Sequence, residues 1–337
     1  MKAGTPNQLK NSNLHRLRKI IQKEKRITKP ELAEKSGLST MTVNNLMKDL
    51  LAENEVIETK ASATTGGRKA SVFEFNAFHQ LVLTVALLEK DKAVTFLFTV
   101  HDLNGQILRQ EVQLGNYFDK TLVKAQIAGF IKDYPAIQCL VIGLPGVEHE
   151  GILKDMDFPL LKDENLKEYL EEAFGFDVIT ENDVNAVIYG YSQVMLLEAE
   201  NAVVGLYYPE SFPPGAGIVL HGRLVKGRNG VAGEIAHLPS DPDWKTFSFS
   251  EEEVIGNLLN NVQTFMSLYD PDCFVIYRDK GFTDEHLKER IEQRMKEEFP
   301  YAELPEIVLS KDFHNHYIYG LFALGITQLN TQWEQFD

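Results

Sequence analysis

The sequence predicts a small winged helix-turn-helix followed by a larger α/β body, and three observations carry that prediction. The first is charge: residues 1–70 hold fourteen Lys or Arg against seven Asp or Glu, whereas the remaining 267 hold twenty against forty-two. The second is a pair of short helical segments joined by a tight turn within residues 28–51. The third is a change of pattern after Leu81, where strands begin to alternate with helices. A basic module on an acidic body is the profile of a DNA-binding protein with a separate sensing or assembly domain.

In the first segment, Leu14, Leu17, Ile20 and Ile21 recur at helical spacing, which predicts a helix from Asn13 to Lys23. Thr28 followed by Glu31 is a capping box, and Pro30 falls in the first turn, where its missing N–H costs nothing. A second helix therefore runs to Ser36 and stops at Gly37. Ser39 can cap a third helix reaching about Glu53, with Val43, Leu46, Leu50 and Leu51 turned inward. The outer face then shows Ser39, Thr40, Thr42, Asn44, Asn45 and Lys48, which suit base-edge and phosphate contacts in a major groove. A plain solvated helix face has the same composition. Residues 55–58 and 71–75 read as two strands of a wing, whose tip carries Arg68 and Lys69 after two glycines, placed to reach into a minor groove. The expected boundaries are 1–76 for this module, 77–190 for the first lobe of the body and 191–337 for the second.

The body opens with a strand meander over 81–88, 93–100 and 106–113, then a helix over 121–132, a buried strand over 138–143 ending in Gly143-Leu-Pro-Gly146, and a helix over 166–174. Sites in such sheets gather at the carboxyl ends of strands. The net charge of −15 confines any nucleic-acid contact to the N-terminal part. Cys139 and Cys273 lie in apolar strand-like runs and are expected to be buried free thiols. No apolar run approaches the roughly 18 residues of a membrane span and no signal peptide is apparent, so a cytoplasmic protein without membrane contact is expected.

Thr180-Glu-Asn-Asp-Val-Asn-Ala186 follows a short strand and opens a helix. The stretch 215–237 is a glycine-rich hairpin ending in Gly233-Glu-Ile-Ala-His237. With Gly143-Leu-Pro-Gly146 and the winged module, these segments resemble the ROK family of repressors and sugar kinases. The resemblance spans essentially the whole chain. It implies an α/β, actin-like ATPase (ribonuclease H-like) fold of two lobes preceded by the winged helix-turn-helix. It also implies that Asp183 matches the general base of the kinases and that Asn182, Glu234 and His237 match residues holding the sugar, with Asp157 at the position of a further sugar-side Asn. Acceptor-rich clusters of this kind suit sugar hydroxyls. Taken singly, Asp183 could merely cap its helix, Glu234 could be a surface carboxylate and His237 could be structural.

Departures from the kinase pattern are concentrated on the nucleotide side. Ala86-Leu-Leu-Glu-Lys-Asp-Lys92 stands where the resemblance leads one to expect an Asp-Gly-Gly-Thr-like turn. Ser211-Phe-Pro-Pro214 replaces Gly-Thr-Gly, removing two amide donors, and Cys273-Phe-Val-Ile-Tyr-Arg-Asp-Lys280 replaces a glycine triplet. Phosphoryl transfer depends on such donors, so no enzyme activity and no cofactor are expected. The segment after His237 lacks the Cys residues of the family's zinc site, so no metal is expected. The resulting expectation is a homodimeric or homotetrameric repressor that binds a double-stranded DNA operator and responds to a sugar or sugar phosphate. A sugar kinase using Asp183 as base, or an assembly protein with no small ligand, are the alternatives. From about Phe313 a C-terminal helix is expected, with small residues at Gly320, Ala323 and Gly325 that allow close packing; the resemblance implies that this helix, with the region around Glu251 to Leu268, helps close the second lobe.

Overall fold

The computed structural model of the chain describes residues 6–60, 71–90, 93–114, 120–154, 161–195, 201–210, 212–239, 242–279 and 284–334. Its N-terminal module contains α1 (Pro6–Glu24), β1 (Arg26–Thr28), α2 (Lys29–Ser36), α3 (Thr40–Ala52), β2 (Val56–Lys60) and β3 (Ser71–Phe75). The helix α1 starts seven residues before the expected Asn13, because the polar turn preceding the apolar stripe continues the same helix. The capping box forms as anticipated: Glu31 accepts the Thr28 amide at 2.8 Å while Thr28 Oγ1 accepts the Glu31 amide. Gly37 ends α2 at φ 67°, a conformation that glycine adopts at no steric cost. Leu17, Leu32, Met47 and Phe73 fill the module's core. The strand β1 was not anticipated; its three residues pair with β3, making a sheet of order β1-β3-β2.

Inside this module Arg18 on α1 grips Glu55, just before β2, with two parallel bonds: Nε to Oε2 at 2.6 Å and Nη2 to Oε1 at 2.5 Å. Both side chains are largely buried. The module meets the body through Lys25 Nζ on Asn104 Oδ1 at 3.1 Å, and α1 touches the C-terminal helix.

The body is built on two five-stranded sheets. The first contains β4 (Leu81–Lys90), β5 (Ala93–Asp102), β6 (Ile107–Leu114), β7 (Ile137–Leu144) and β10 (Asp177–Asn182) in the order β10-β7-β4-β5-β6. Strands β4, β5 and β6 form the antiparallel meander, while β7 and β10 run parallel to β4. Alternation along β4 sorts its two faces: Leu81, Leu83 and Val85 pack under α4 (Lys120–Asp133) and α5 (Leu166–Phe174), and Val82 and Ala86 face the molecular interior. Between β7 and α5 lies a hairpin of β8 (Val147–His149) and β9 (Ile152–Lys154). The second sheet contains β11 (Val203–Tyr208), β12 (Gly215–Leu220), β13 (Arg223–Leu224), β14 (Cys273–Arg278) and β15 (Glu306–Ser310), ordered β13-β12-β11-β14-β15. It is covered outside by α7 (Glu251–Tyr269) and α8 (Asp284–Glu298).

Two helices fill the space between the sheets. The helix α6 (Asp183–Val194) packs on β11 and β12, and α9 (Phe313–Glu334) packs on β4, β7 and α6. The start of α9 also meets the second sheet, where the Tyr277 ring of β14 lies edge-on to Phe313 at 5.6 Å and its hydroxyl lies 2.7 Å from His316 Nδ1. Tyr317, Leu321 and Gly325 turn the apolar side of α9 toward Val82 and Val141 of the first sheet. The two helices cross with backbones in contact, since a Cβ on Gly190 would overlap the His316 carbonyl and one on Gly320 the Ala186 carbonyl. Cys139 and Cys273 are free and buried, and burial pushes their thiols up to about 12 and about 11.

Candidate functional site

Two places carry candidate chemistry. On α3, Val43, Leu46, Met47 and Leu50 point into the module, leaving Thr40, Asn45 and Lys48 exposed and Asn44 half-buried on the outside. Ser39 and Thr42 are engaged locally. Ser39 Oγ caps the helix by accepting the Thr42 amide at 3.1 Å and lies 2.9 Å from Thr42 Oγ1. Met41, absent from the residues read as DNA-facing, is 77% exposed. Arg68 and Lys69 lie outside the described residues.

The second place is a cleft of about 500 Å³ in the body. Parallel pairing puts Glu181 beside Gly143 and Asn182 beside Leu144, so the carboxyl ends of β7 and β10 open into it together. Its walls are Gly146, Glu148, His149 and Glu150 from the β7–β8 region, Thr180, Glu181, Asn182 and Asn185 from β10 and α6, and Lys226–Gly230 following β13. Asn182 caps α6, its Oδ1 accepting the Asn185 amide at 3.1 Å, and its Nδ2 donates to the Gly146 carbonyl at 3.2 Å. One side chain thus ties the Gly-Leu-Pro-Gly turn to the helix.

Glu181 is nearly fully buried. Its Oε1 accepts the Asn182 amide at 3.1 Å and Asn185 Nδ2 at 3.2 Å. Its Oε2 lies 2.7 Å from Lys226 Nζ, an ion pair whose angles fall short of a hydrogen bond and whose lysine is 49% exposed. Three further buried oxygens on the cleft's lining residues, Glu148 Oε2, Thr180 Oγ1 and Asn185 Oδ1, have no hydrogen-bond partner among the described residues. Burial raises the Glu148 carboxyl above its ordinary value, with the Lys226 charge pulling the other way. Unpaired buried acceptors are rare in folded proteins and call for a hydrogen donor. The arrangement can receive a small molecule rich in hydroxyl or N–H groups.

Of the residues expected to hold a ligand, Asn182 lines this cleft. Asp183 follows it directly, with Oδ1 accepting the Val184 amide at 2.8 Å. Glu234 and His237 frame a short helical turn four residues past the cleft's last glycine, and neither is among its lining residues. Asp157 lies outside the described residues. Glu148, Thr180, Glu181, Asn185 and Lys226 were not singled out from the sequence. The segment after His237 is anchored by Trp244, whose ring meets Phe247 edge-on at 4.9 Å and whose Nε1 donates to the Ala236 carbonyl at 3.0 Å. Near the end of β14, Asp279 accepts the Tyr207 hydroxyl at 3.1 and 3.2 Å and the Glu210 amide at 3.2 Å.

Residues 93–248 match the ROK family model, and residues 15–54 match a winged helix-turn-helix DNA-binding model. Over residues 93–248 the chain thus resembles the ROK family. It is similar to the DNA-binding transcriptional dual regulator NagC of Escherichia coli K12, 28% identical over 256 residues, covering 71% of this chain and 60% of that protein. The xylose repressor of Bacillus spizizenii is 27% identical over 245 residues, covering 69% and 62%. The chain thus spans less than two thirds of the length of these curated relatives. The crystal structure of a ROK family transcriptional regulator, a homologue of the E. coli MLC protein, shares the fold with TM-score 0.66 at 18% identity, over 97% of this chain and 99% of that one. The two sheets, the interior helix pair and the preceding winged module are thereby seen to form a fold that a solved structure shares.

Proposed function

We propose that the chain is a DNA-binding transcriptional regulator, a repressor of carbohydrate-utilisation genes, whose ROK domain binds a sugar or sugar phosphate without phosphorylating it. The observation that carries this reading is the joining, in one chain, of a winged helix whose α3 keeps an exposed polar face to a ROK domain whose cleft holds unpaired buried oxygens. Thr40, Asn44, Asn45 and Lys48 contact the operator, with Arg68 and Lys69 at the wing. Asn182, Glu148, Thr180 and Asn185 accept and donate to the ligand, and Asp183, Glu234, His237 and Asp157 complete the sugar side.

Absence of catalysis rests on the nucleotide side. Pro213 and Pro214 supply no amide donors ahead of β12, and the neighbouring Asp279 carboxylate consumes the donors of Tyr207 and Glu210 while adding a charge that repels phosphate. The protein acts as a homodimer or homotetramer in the cytoplasm, reading a palindrome whose half-sites are spaced by whole helical turns. Ligand changes DNA affinity only through unequal affinity for two arrangements of the winged modules. The contact of α1 with α9, which lies against α6, gives the cleft a physical route to the module.

The test is binding of the full chain to duplexes selected from a randomised library, measured between about 50 and 200 mM salt. A palindromic selected site with a steep loss of affinity across that range is expected. Absence of salt-sensitive binding to any duplex would overturn the reading.

A further inference from the structure

On α3 the buried side is centred on Val43, Leu46, Met47 and Leu50, and helical geometry places Met41 almost opposite that centre. Met41 shares its outward stripe with Asn44, Asn45 and Lys48, three, four and seven residues on. It is 77% exposed, more open than Leu9 or Ile57, the other large apolar side chains exposed among the described residues of this module. On the outward face of α3 an apolar side chain is thus set among amides and a cation. It also stands in the first turn of the helix, the part of a recognition helix that meets base edges.

We propose that Met41 is a specificity-determining residue that reads the 5-methyl group of thymine in the major groove. The inference rests on the DNA-binding reading above. Thymine is the one base presenting a methyl group in that groove, and apolar contact with it is the means by which an uncharged, non-hydrogen-bonding side chain distinguishes bases. Methionine suits the task because its unbranched thioether adapts to a small apolar target without demanding a fixed rotamer. The neighbouring Asn44 and Asn45 supply hydrogen bonds to adjacent base edges, and Lys48, one turn further along, reaches a phosphate. A polar side chain at position 41 would add another hydrogen-bonding requirement. Methionine instead makes the module prefer thymine over cytosine or uracil at one position of each half-site.

The experiment uses the full-length protein and the duplex it selects from a randomised library, with each thymine replaced in turn by deoxyuridine, which lacks only the methyl group. The wild type should lose about four-fold in affinity at one thymine of each half-site, the amount expected for one buried methyl group, and be indifferent elsewhere. Met41→Ala, which removes the contact from both half-sites, should bind the thymine duplex about sixteen-fold more weakly, about four-fold per half-site, and no longer distinguish thymine from deoxyuridine at that position. Met41→Leu should keep the discrimination. Equal affinity of the wild type for thymine and deoxyuridine at every position, or persistent discrimination in Met41→Ala, overturns the proposal while leaving DNA binding intact. Failure to select any duplex overturns the DNA-binding reading and this proposal with it.

Discussion

Glu55 and Glu181 are both carboxylates taken almost wholly out of water, and each faces a cation, yet they are held in opposite ways. Glu55 is clamped by Arg18 through two parallel bonds within one small module, and both oxygens are satisfied. Glu181 meets Lys226 with one oxygen, the lysine is half in solvent, and the surrounding lining residues keep three oxygens without a partner among the described residues. A closed bidentate pair specifies a structure. An open pair at the wall of a cleft can exchange its partner for a ligand. The contrast separates a carboxylate closed within the fold from one that lines a cleft, although burial alone would rank them together.

The largest effect that tests this contrast is on the closed pair. Arg18→Ala leaves Glu55 buried and unpaired, and should destabilise the winged module by about 3 kcal/mol or more. Hydrogen exchange in residues 13–60 would rise, whereas joint replacement by Arg18→Met and Glu55→Leu should restore most of the protection. If the single change leaves exchange unaltered, the pair is not what orders the module.

Acid should act next. His101 is buried against the Phe322 ring, with Nε2 3.2 Å from Thr84 Oγ1, and burial lowers its pKa to about 4. Because the folded pKa lies below the unfolded value of about 6.5, the unfolded chain binds the extra proton first. The stabilisation is complete above about pH 6.5 and is lost as pH falls toward 4, by about 3 kcal/mol in all. Urea unfolding across that window should show the slope, and His101→Gln should flatten it.

A smaller loss is expected at the helix crossing. Gly320→Ala forces a methyl group against the Ala186 carbonyl and should cost about 2 kcal/mol by prying α9 from α6. Since α1 rests on α9, the response of DNA binding to ligand should weaken as well. The smallest stability change belongs to the open pair. With its lysine half exposed, Lys226→Ala should shift unfolding by less than about 1 kcal/mol while altering ligand affinity measurably by calorimetry. A stability loss as large as that of Arg18→Ala would erase the distinction between the two carboxylates.

Local signals were the legible part of this chain. Thr28, Glu31 and Gly37 bound α2 in the structure as they do on paper, and α5 ends where its periodicity ends, because caps and apolar spacing act within a turn or two. The three-residue strands β1, β8 and β9 escaped notice since each is too short to show alternation and owes its existence to a partner distant in sequence or to a tight turn. The destination of α9 was likewise hidden. Its small residues announced close packing, but nothing in them says against which helix. The cleft was read only in part for a similar reason: Asn182 sits in a recognisable turn, whereas Glu148, Asn185 and Lys226 acquire meaning only when β10, α6 and the loop after β13 converge.

The central claim is that the cleft binds a sugar without using ATP and that this binding is felt at the DNA-binding end. It is tested most directly by thermal shift of the full chain against sugars and sugar phosphates, each with and without Mg-ATP, followed by operator binding with the ligand that shifts. A ligand at about 100 times its dissociation constant stabilises by roughly 2.7 kcal/mol. The account predicts such a shift from one sugar or sugar phosphate alone, indifferent to Mg-ATP, together with a change in operator affinity. A shift that requires Mg-ATP, with ADP release that depends on the sugar and disappears in Asp183→Asn, would contradict it.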